Sequence, residues 1–183
     1  MTDQDKNQPH KNNRFVQAYN QMLERVRHGL DGGEKETADR DSGFHRILSN
    51  AVEKAVELEE LTREEADRIA EYLMRDVKDA SRFMADTGEE FRDWLRFDVD
   101  LVEDRMLDLF SQIADKTTLQ QMTFFQDLEK LSEYHTGQIT GIGTLSCKQC
   151  GELLHFHHTA RIPPCPKCHA TLFSRVEEEA PES

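Results

Sequence analysis

"CKQCGELLHFHHTARIPPCPKC", residues 147–168, holds all four cysteines of a 183-residue chain as two CxxC pairs. Cys147 and Cys150 form the first pair, and Cys165 and Cys168 the second. A CxxC turn aims two sulfurs and several backbone N–H groups at one ion, and two such turns complete a tetrahedral four-thiolate shell. The spacing is one residue short of the usual C-x2-C-x15–20-C-x2-C range. Gly151 follows the first pair, where the turn asks for positive φ; His169 stands at the same place after the second. Pro163, Pro164 and Pro166 stiffen the approach to Cys165.

Competing readings of the four cysteines fail on chemistry. Two disulfides need an oxidising compartment, and the polar start "MTDQDKNQPHKNNR" carries no export signal. A redox CxxC needs a surrounding βαβ pattern and no second copy. "CPKCH" matches the haem attachment motif, but haem would strand Cys147 and Cys150. Iron in the same four-sulfur shell is chemically feasible, and zinc is the favoured ion. A Cys₃His shell drawing on His155, His157, His158 or His169 is the other variant; four thiols already complete the site, which leaves these histidines on strand and loop surfaces. Four protein ligands close a site, and no HExxH or HxE motif accompanies this one, so the predicted metal is one structural Zn²⁺ without a catalytic role. "GQITGIGTLSC", "ELLHFHHTARI" and "ATLFSR" read as three short antiparallel strands around the two turns, a zinc ribbon. In the second of them Leu154, Phe156 and His158 share one face, and Leu153, His155 and His157 the other.

Upstream of the ribbon the periodicity is helical. In residues 14–30, Phe15, Ala18, Tyr19, Met22, Val26 and Leu30 form one stripe, which Gly29 and "DGGE" are expected to end. A second stripe runs through Phe44, Ile47, Leu48, Ala51, Val52 and Ala55. "TREE" opens a third helix with a capping box between Thr62 and Glu65. Ala66, Ala70, Leu73, Val77, Ala80 and Met84 then follow heptad spacing. "DTGEE" interrupts with a second capping box, Thr87 with Glu90, before a new seam through Leu95, Val99, Val102, Met106, Leu109 and Ile113. A last helix is predicted over Leu119–Tyr134, with Met122, Phe125, Leu128 and Leu131 inward. Phe83, Phe91, Trp94, Phe97 and Phe110 read as packing residues, and Asp98, Asp100, Glu103 and Asp104 as a solvated face.

The predicted fold is therefore mainly α. Antiparallel helical hairpins in a coiled-coil-like bundle carry a small C-terminal β zinc ribbon. The expected divisions are a disordered N-terminus (1–13), a helical domain (14–136), the ribbon (137–175) and an acidic disordered tail (176–183).

Charge narrows the function. The chain carries −13 in all. Lys148, Arg161, Lys167 and Arg175 against Glu152 give residues 138–175 a charge of +3, while residues 1–137 hold −12 and the tail −4. A body that acidic repels a phosphate backbone. Mean hydropathy is −0.75 and no stretch is apolar enough to span a membrane, so the expected location is the cytoplasm. No Walker loop, GxGxxG, GxSxG or nucleophile–base pair is present, and no residue is assigned a catalytic role.

"TREEADRIAEYLMRD" (62–76), "ADKTTLQQMTFFQDLEKLSEYHTGQITGIGTLSCKQC" (114–150) and "CPKCHATLFSR" (165–175) resemble the YbeL-like family of bacterial zinc-ribbon proteins. The resemblance covers most of 62–175 and is strongest in 114–168. It implies a helical domain followed by a ribbon, with Cys147, Cys150, Cys165 and Cys168 as ligands. The family's second turn usually reads CPxCG, whereas here His169 replaces the glycine. No activity comes with the resemblance. The reading is a non-enzymatic zinc-binding protein serving as a protein–protein interaction or adaptor module, with an unidentified protein partner or a homodimer through its helices. The alternative is a nucleic-acid-associated accessory factor of transcription or translation that uses the ribbon.

Overall fold

The computed structural model describes residues 8–31, 41–87, 107 and 133–176. Among these residues three helices come first: α1 (Gln8–Asp31), α2 (Asp41–Glu57) and α3 (Arg63–Thr87). Six short strands follow: β1 (Glu133–His135), β2 (Ile139–Thr140), β3 (Gly143–Cys147), β4 (Leu153–Phe156), β5 (Ala160–Arg161) and β6 (Leu172–Arg175). β1, β6, β3 and β4 form one antiparallel sheet in that order, and β2 pairs with β5 in a second.

The helical stripes bury as their spacing predicts. Tyr19, Met22 and Val26 of α1 are sealed from solvent beside Leu48, Val52 and Ala55 of α2 and Ala66, Leu73 and Val77 of α3. Each large aliphatic side chain buried this way contributes about 1.5–3 kcal/mol before entropy is counted. α1 departs from prediction at its start, and its last residue is Asp31, the first of the expected "DGGE" stop. It starts at Gln8, so residues 8–13 are helix and not a disordered tail; Pro9 suits a first turn, whose N–H groups have no partner within the helix. It also runs through Gly29 to Asp31. Glycine there serves packing: a Cβ on Gly29 would lie 2.5 Å from Cγ2 of Ile47 on α2.

The connection from α2 to α3 follows from its residues. Glu59, at φ 55°, ends α2 in the left-handed conformation. Its N–H donates to the Val56 carbonyl, and that of Glu60 to the Ala55 carbonyl, both at 3.0 Å. Thr62 then forms the predicted capping box: its N–H donates to Glu65 Oε2 at 3.0 Å, and the Glu65 N–H to Thr62 Oγ1 at 3.2 Å.

α3 is the central element. Its seam through Ala66, Ala70, Leu73, Val77 and Ala80 is buried within the chain, and so are Ile69, Met74, Arg75, Asp76, Lys78 and Ser81. A coiled-coil strand buries one narrow stripe, whereas here α1, α2 and β2 cover several sides. The coiled-coil-like arrangement is thus replaced by a helix enclosed by its own chain, and this stretch of seam is not open to a second copy.

The ribbon begins earlier than its turn glycines suggest. Glu133 and Tyr134, predicted as the end of a helix, belong to β1, where Tyr134 pairs with Phe173. The physical reason is the tyrosine's buried hydroxyl, which finds partners on both α3 and β6. The three predicted strands become six. In β4, Leu154 and Phe156 turn inward and Leu153 and His155 outward, as alternation requires; the strand stops there, so His157 and His158 lie beyond it. The ribbon has its own small core of Tyr134, Leu145, Leu154, Phe156, Ile162 and Phe173 with Cys147 and Cys165. Ile139 and Ile142, however, join the helical core. The seam from Leu95 to Ile113, the helix from Leu119 to residue 132, the Thr87–Glu90 box, the residues Phe91, Trp94, Phe97, Phe110, Asp98, Asp100, Glu103 and Asp104, the side chains of Phe83 and Met84, and the tail after Val176 lie outside the described residues.

Candidate metal centre

Two turns with matching hydrogen bonds bring the cysteines together. In the first, the Cys147 N–H donates to the Glu152 carbonyl and the Gly151 N–H to the Cys147 carbonyl, both at 2.9 Å. In the second, the Cys165 N–H donates to the Ala170 carbonyl and the His169 N–H to the Cys165 carbonyl, again at 2.9 Å. Gly151 has φ 72° and His169 φ 61°, so both turns use the left-handed region. Histidine is among the residues that enter it with modest strain, which is how this turn forms without glycine.

All four Sγ atoms lie within 4.8 Å of one another. The closest pairs bridge the two turns: Cys147 to Cys168 and Cys150 to Cys165, each at 3.6 Å. A tetrahedral ion with metal–sulfur bonds of about 2.3 Å sets its sulfurs about 3.8 Å apart, so the cluster fits such an ion with little adjustment. Cys147 and Cys165 are buried, and Cys150 and Cys168 are half-buried.

The thiols are electrostatically uneven. Burial pushes Cys165 up, but the backbone N–H groups of Cys168 and Lys167, with the thiols of Cys150 and Cys168, outweigh it and bring it down to about 7. The Ala170 N–H pulls Cys168 down, yet burial and the other three thiols push it up to about 12. Cys150 is drawn down by the Glu152 N–H and raised overall by burial with Cys165 and Cys147. One thiolate therefore forms readily, and each further negative charge beside it is opposed. A divalent cation removes that opposition, because it deprotonates the thiols it binds.

The described residues contain no other His/Cys/Asp/Glu group with metal-holding geometry. His155 Nδ1 lies 2.9 Å from Thr144 Oγ1, on the outer face of β4, and His169 is exposed; neither joins the cluster.

A second polar centre lies where β6 meets α3, and the sequence reading does not foresee it. Asp76 is sealed from solvent. Its Oδ2 accepts from the Tyr19 hydroxyl (2.8 Å), the Gly141 N–H (2.7 Å) and the Thr140 hydroxyl (3.3 Å). Its Oδ1 accepts from Arg75 (3.2 Å) and Arg175 (3.3 Å). The Tyr134 hydroxyl donates to Asp79 and accepts from Arg175 at 3.0 Å. The Arg75 guanidinium lies 3.6 Å from the centre of the Tyr134 ring. Burial pushes the Asp79 carboxyl up to about 6 against the pull of Arg175 and Tyr134. The available signal was position: Asp76 stands three residues after Leu73, on a helix side otherwise buried.

The family model of zinc-ribbon containing domains matches residues 33–177. A protein of Escherichia coli K12 named "Uncharacterized protein YbeL" is 28% identical over 167 residues, which span 89% of this chain and 96% of that protein. Proteins of the same name from E. coli O6:H1 and O157:H7 match to the same extent. No solved structure gives a significant match. With four sulfurs converging between two like turns and the family match spanning both them and most of the helices, the chain belongs to the family of zinc-ribbon containing domains.

Proposed function

We propose that the protein binds one zinc ion through Cys147, Cys150, Cys165 and Cys168 as a closed structural centre, and that it serves as a non-enzymatic protein–protein interaction or adaptor module in a reducing compartment, the cytoplasm. The observation that carries the zinc reading is the convergence of all four sulfurs within 4.8 Å. An ion held by four thiolates has no position left for water, so it organises the fold and does not activate a nucleophile. Among the described residues, no helix is long and apolar enough to cross a membrane.

The fate of the ribbon's cations supports an adaptor over a nucleic-acid factor. Lys148 pairs with Glu133 at 3.0 Å and Lys167 with Glu152 at 3.5 Å. Arg175 is buried against Asp76, and Arg161 is half-buried with its guanidinium 6.0 Å from the Phe15 ring. Little of the +3 charge is left to face a phosphate backbone.

Elemental analysis of protein purified under reducing conditions should find about one zinc per chain, and gel-shift titration at physiological salt should find no sub-micromolar DNA or RNA complex. A complex of that strength, lost on Lys148→Glu with Arg161→Glu, would make the ribbon a nucleic-acid-binding end. Metal-free protein with an ordered ribbon would overturn the zinc assignment. For the adaptor role, tagged protein should retain the same host proteins in repeated pull-downs, and Cys165→Ser should lose those that engage the ribbon.

A further inference from the structure

The ribbon packs on the helices through β2 and β5, and β6 reaches α3 through the Arg175 side chain. Arg175 follows Cys168 by seven residues, at the far end of that strand. β3 runs beside it in a register that sets Cys147 opposite Phe173 and Leu145 opposite Arg175. Both metal turns thus enter one ladder, and its other end carries a buried guanidinium. Arg175 donates to Asp76 and Thr140 at 3.3 Å and to Tyr134 at 3.0 Å, and its Nε lies 3.8 Å from Asp79 Oδ2.

The helix's own arginine depends on the ribbon as well. Arg75 Nη1 donates to Gln138 Oε1 at 2.6 Å, and Nη2 to the Ile139 carbonyl at 3.1 Å. With the ribbon in place, two arginines and two aspartates balance at the buried face of α3. With the ribbon displaced, Asp76 and Asp79 lose Arg175, Asp76 loses the Gly141 N–H, and Arg75 loses Gln138 and the Ile139 carbonyl and keeps only Asp76. Ile139 and Ile142 also leave the helical core. Removing one partner of a buried ion pair is strongly unfavourable because it strands the other.

We propose that metal occupancy of the four-thiol centre is coupled to the packing of α3, with Arg175 as the link. The bound ion holds β3 and β6 together and so keeps Arg175 between Asp76, Asp79 and Tyr134; closure of that polar cage in turn raises metal affinity. Coupling of this kind is reciprocal by thermodynamic necessity. Metal loss is then felt on the central helix, where α1 and α2 also pack. The proposal rests on the zinc reading above.

The test uses the full chain. Zinc affinity is measured by competition with a chelator, and amide exchange is followed in peptides covering residues 69–80. Zinc removal should speed exchange there at least tenfold. Arg175→Met should raise the zinc Kd at least tenfold. Tyr134→Phe keeps the ring over Arg75 but deletes the shared hydroxyl; it should raise the Kd about threefold or more, and it serves if the arginine variant does not fold. Val26→Ala loosens the helical core away from the cage and should leave the Kd within twofold. Exchange in α3 that is unchanged by zinc removal, or wild-type zinc affinity in Tyr134→Phe, overturns the coupling while leaving the zinc reading intact. Protein that takes up no zinc overturns both.

Discussion

Two buried centres lie at opposite ends of the same pair of strands, and they solve opposite electrostatic problems. The thiol cluster gathers four groups of one kind, whose charges repel as they form, and the cation that would offset them comes from outside the chain. The cage around Asp76 takes its cations, Arg75 and Arg175, from the chain itself. The first centre is conditional on an outside ion for its charge balance, and the second balances its charge within the chain. Because β6 joins them, a self-sufficient centre is tied to one that the surroundings can empty.

Breaking the conditional centre should have the largest effect. Cys165→Ser should abolish stoichiometric zinc, measured by elemental analysis, and melt the ribbon. Structural zinc sites contribute on the order of 10–16 kcal/mol of binding free energy to folding. The helices should also lose thermal stability by circular dichroism, since Ile139, Ile142 and Arg175 hold them from the ribbon side. A helical melting curve identical to wild type would show two independent halves.

Val77→Asp asks whether the helices stand on their own core. Val77 is fully buried within the chain, and an unpaired carboxylate there should destabilise by more than about 4 kcal/mol. Urea unfolding combined with size-exclusion chromatography decides the matter. A folded, helical monomer arising from a dimer would mean that the seam faces another chain.

Asp76→Ala breaks the self-sufficient centre. It strands Arg75 and Arg175 and should cost about 3–5 kcal/mol in urea unfolding of zinc-loaded protein. A loss below about 1 kcal/mol would mean that the cage adds little to stability.

Asp79 sharpens the comparison through pH. Its folded pKa of about 6 stands above the ordinary 3.8. Between about pH 4 and 6 the native state therefore binds this proton more tightly than the unfolded chain does. The group's stabilising contribution is present at the acid end of that window and is lost as pH rises through 6. Asp79→Asn removes the titration. Wild type should gain on this variant by roughly 1–2 kcal/mol between about pH 7.5 and pH 5, and taking the difference cancels the pH dependence of the metal centre. A constant difference would show that Asp79 titrates normally.

The smallest effects separate the two metal turns. His169→Gly should stabilise by up to about 1 kcal/mol, because glycine takes positive φ freely. Gly151→Ala should lose about 1 kcal/mol; a Cβ there meets nothing within 4 Å, so the loss is conformational. Thermal melts of zinc-loaded protein measure both, and equal shifts of one sign would show that the turns differ in more than their backbone.

Most of the metal centre and of the helical stripes is decided locally. A CxxC turn is a property of six neighbouring residues, so Cys147, Cys150, Cys165 and Cys168 can be assigned from spacing. Capping by Thr62 and Glu65 and the stripes of α1 and α2 are likewise short-range, governed by hydrogen bonds and periodicity within one or two turns. Only the tertiary structure decides what depends on distant partners. Periodicity cannot tell a seam that meets a second chain from one that its own chain covers, so the enclosure of α3 was invisible. Tyr134 reads as the last turn of a helix until Phe173, Asp79 and Arg175 are brought to it. Arg175 counts as a surface cation until it meets Asp76, 99 residues away; a charge's role is set by the groups that desolvate and pair it, and those are chosen by the fold.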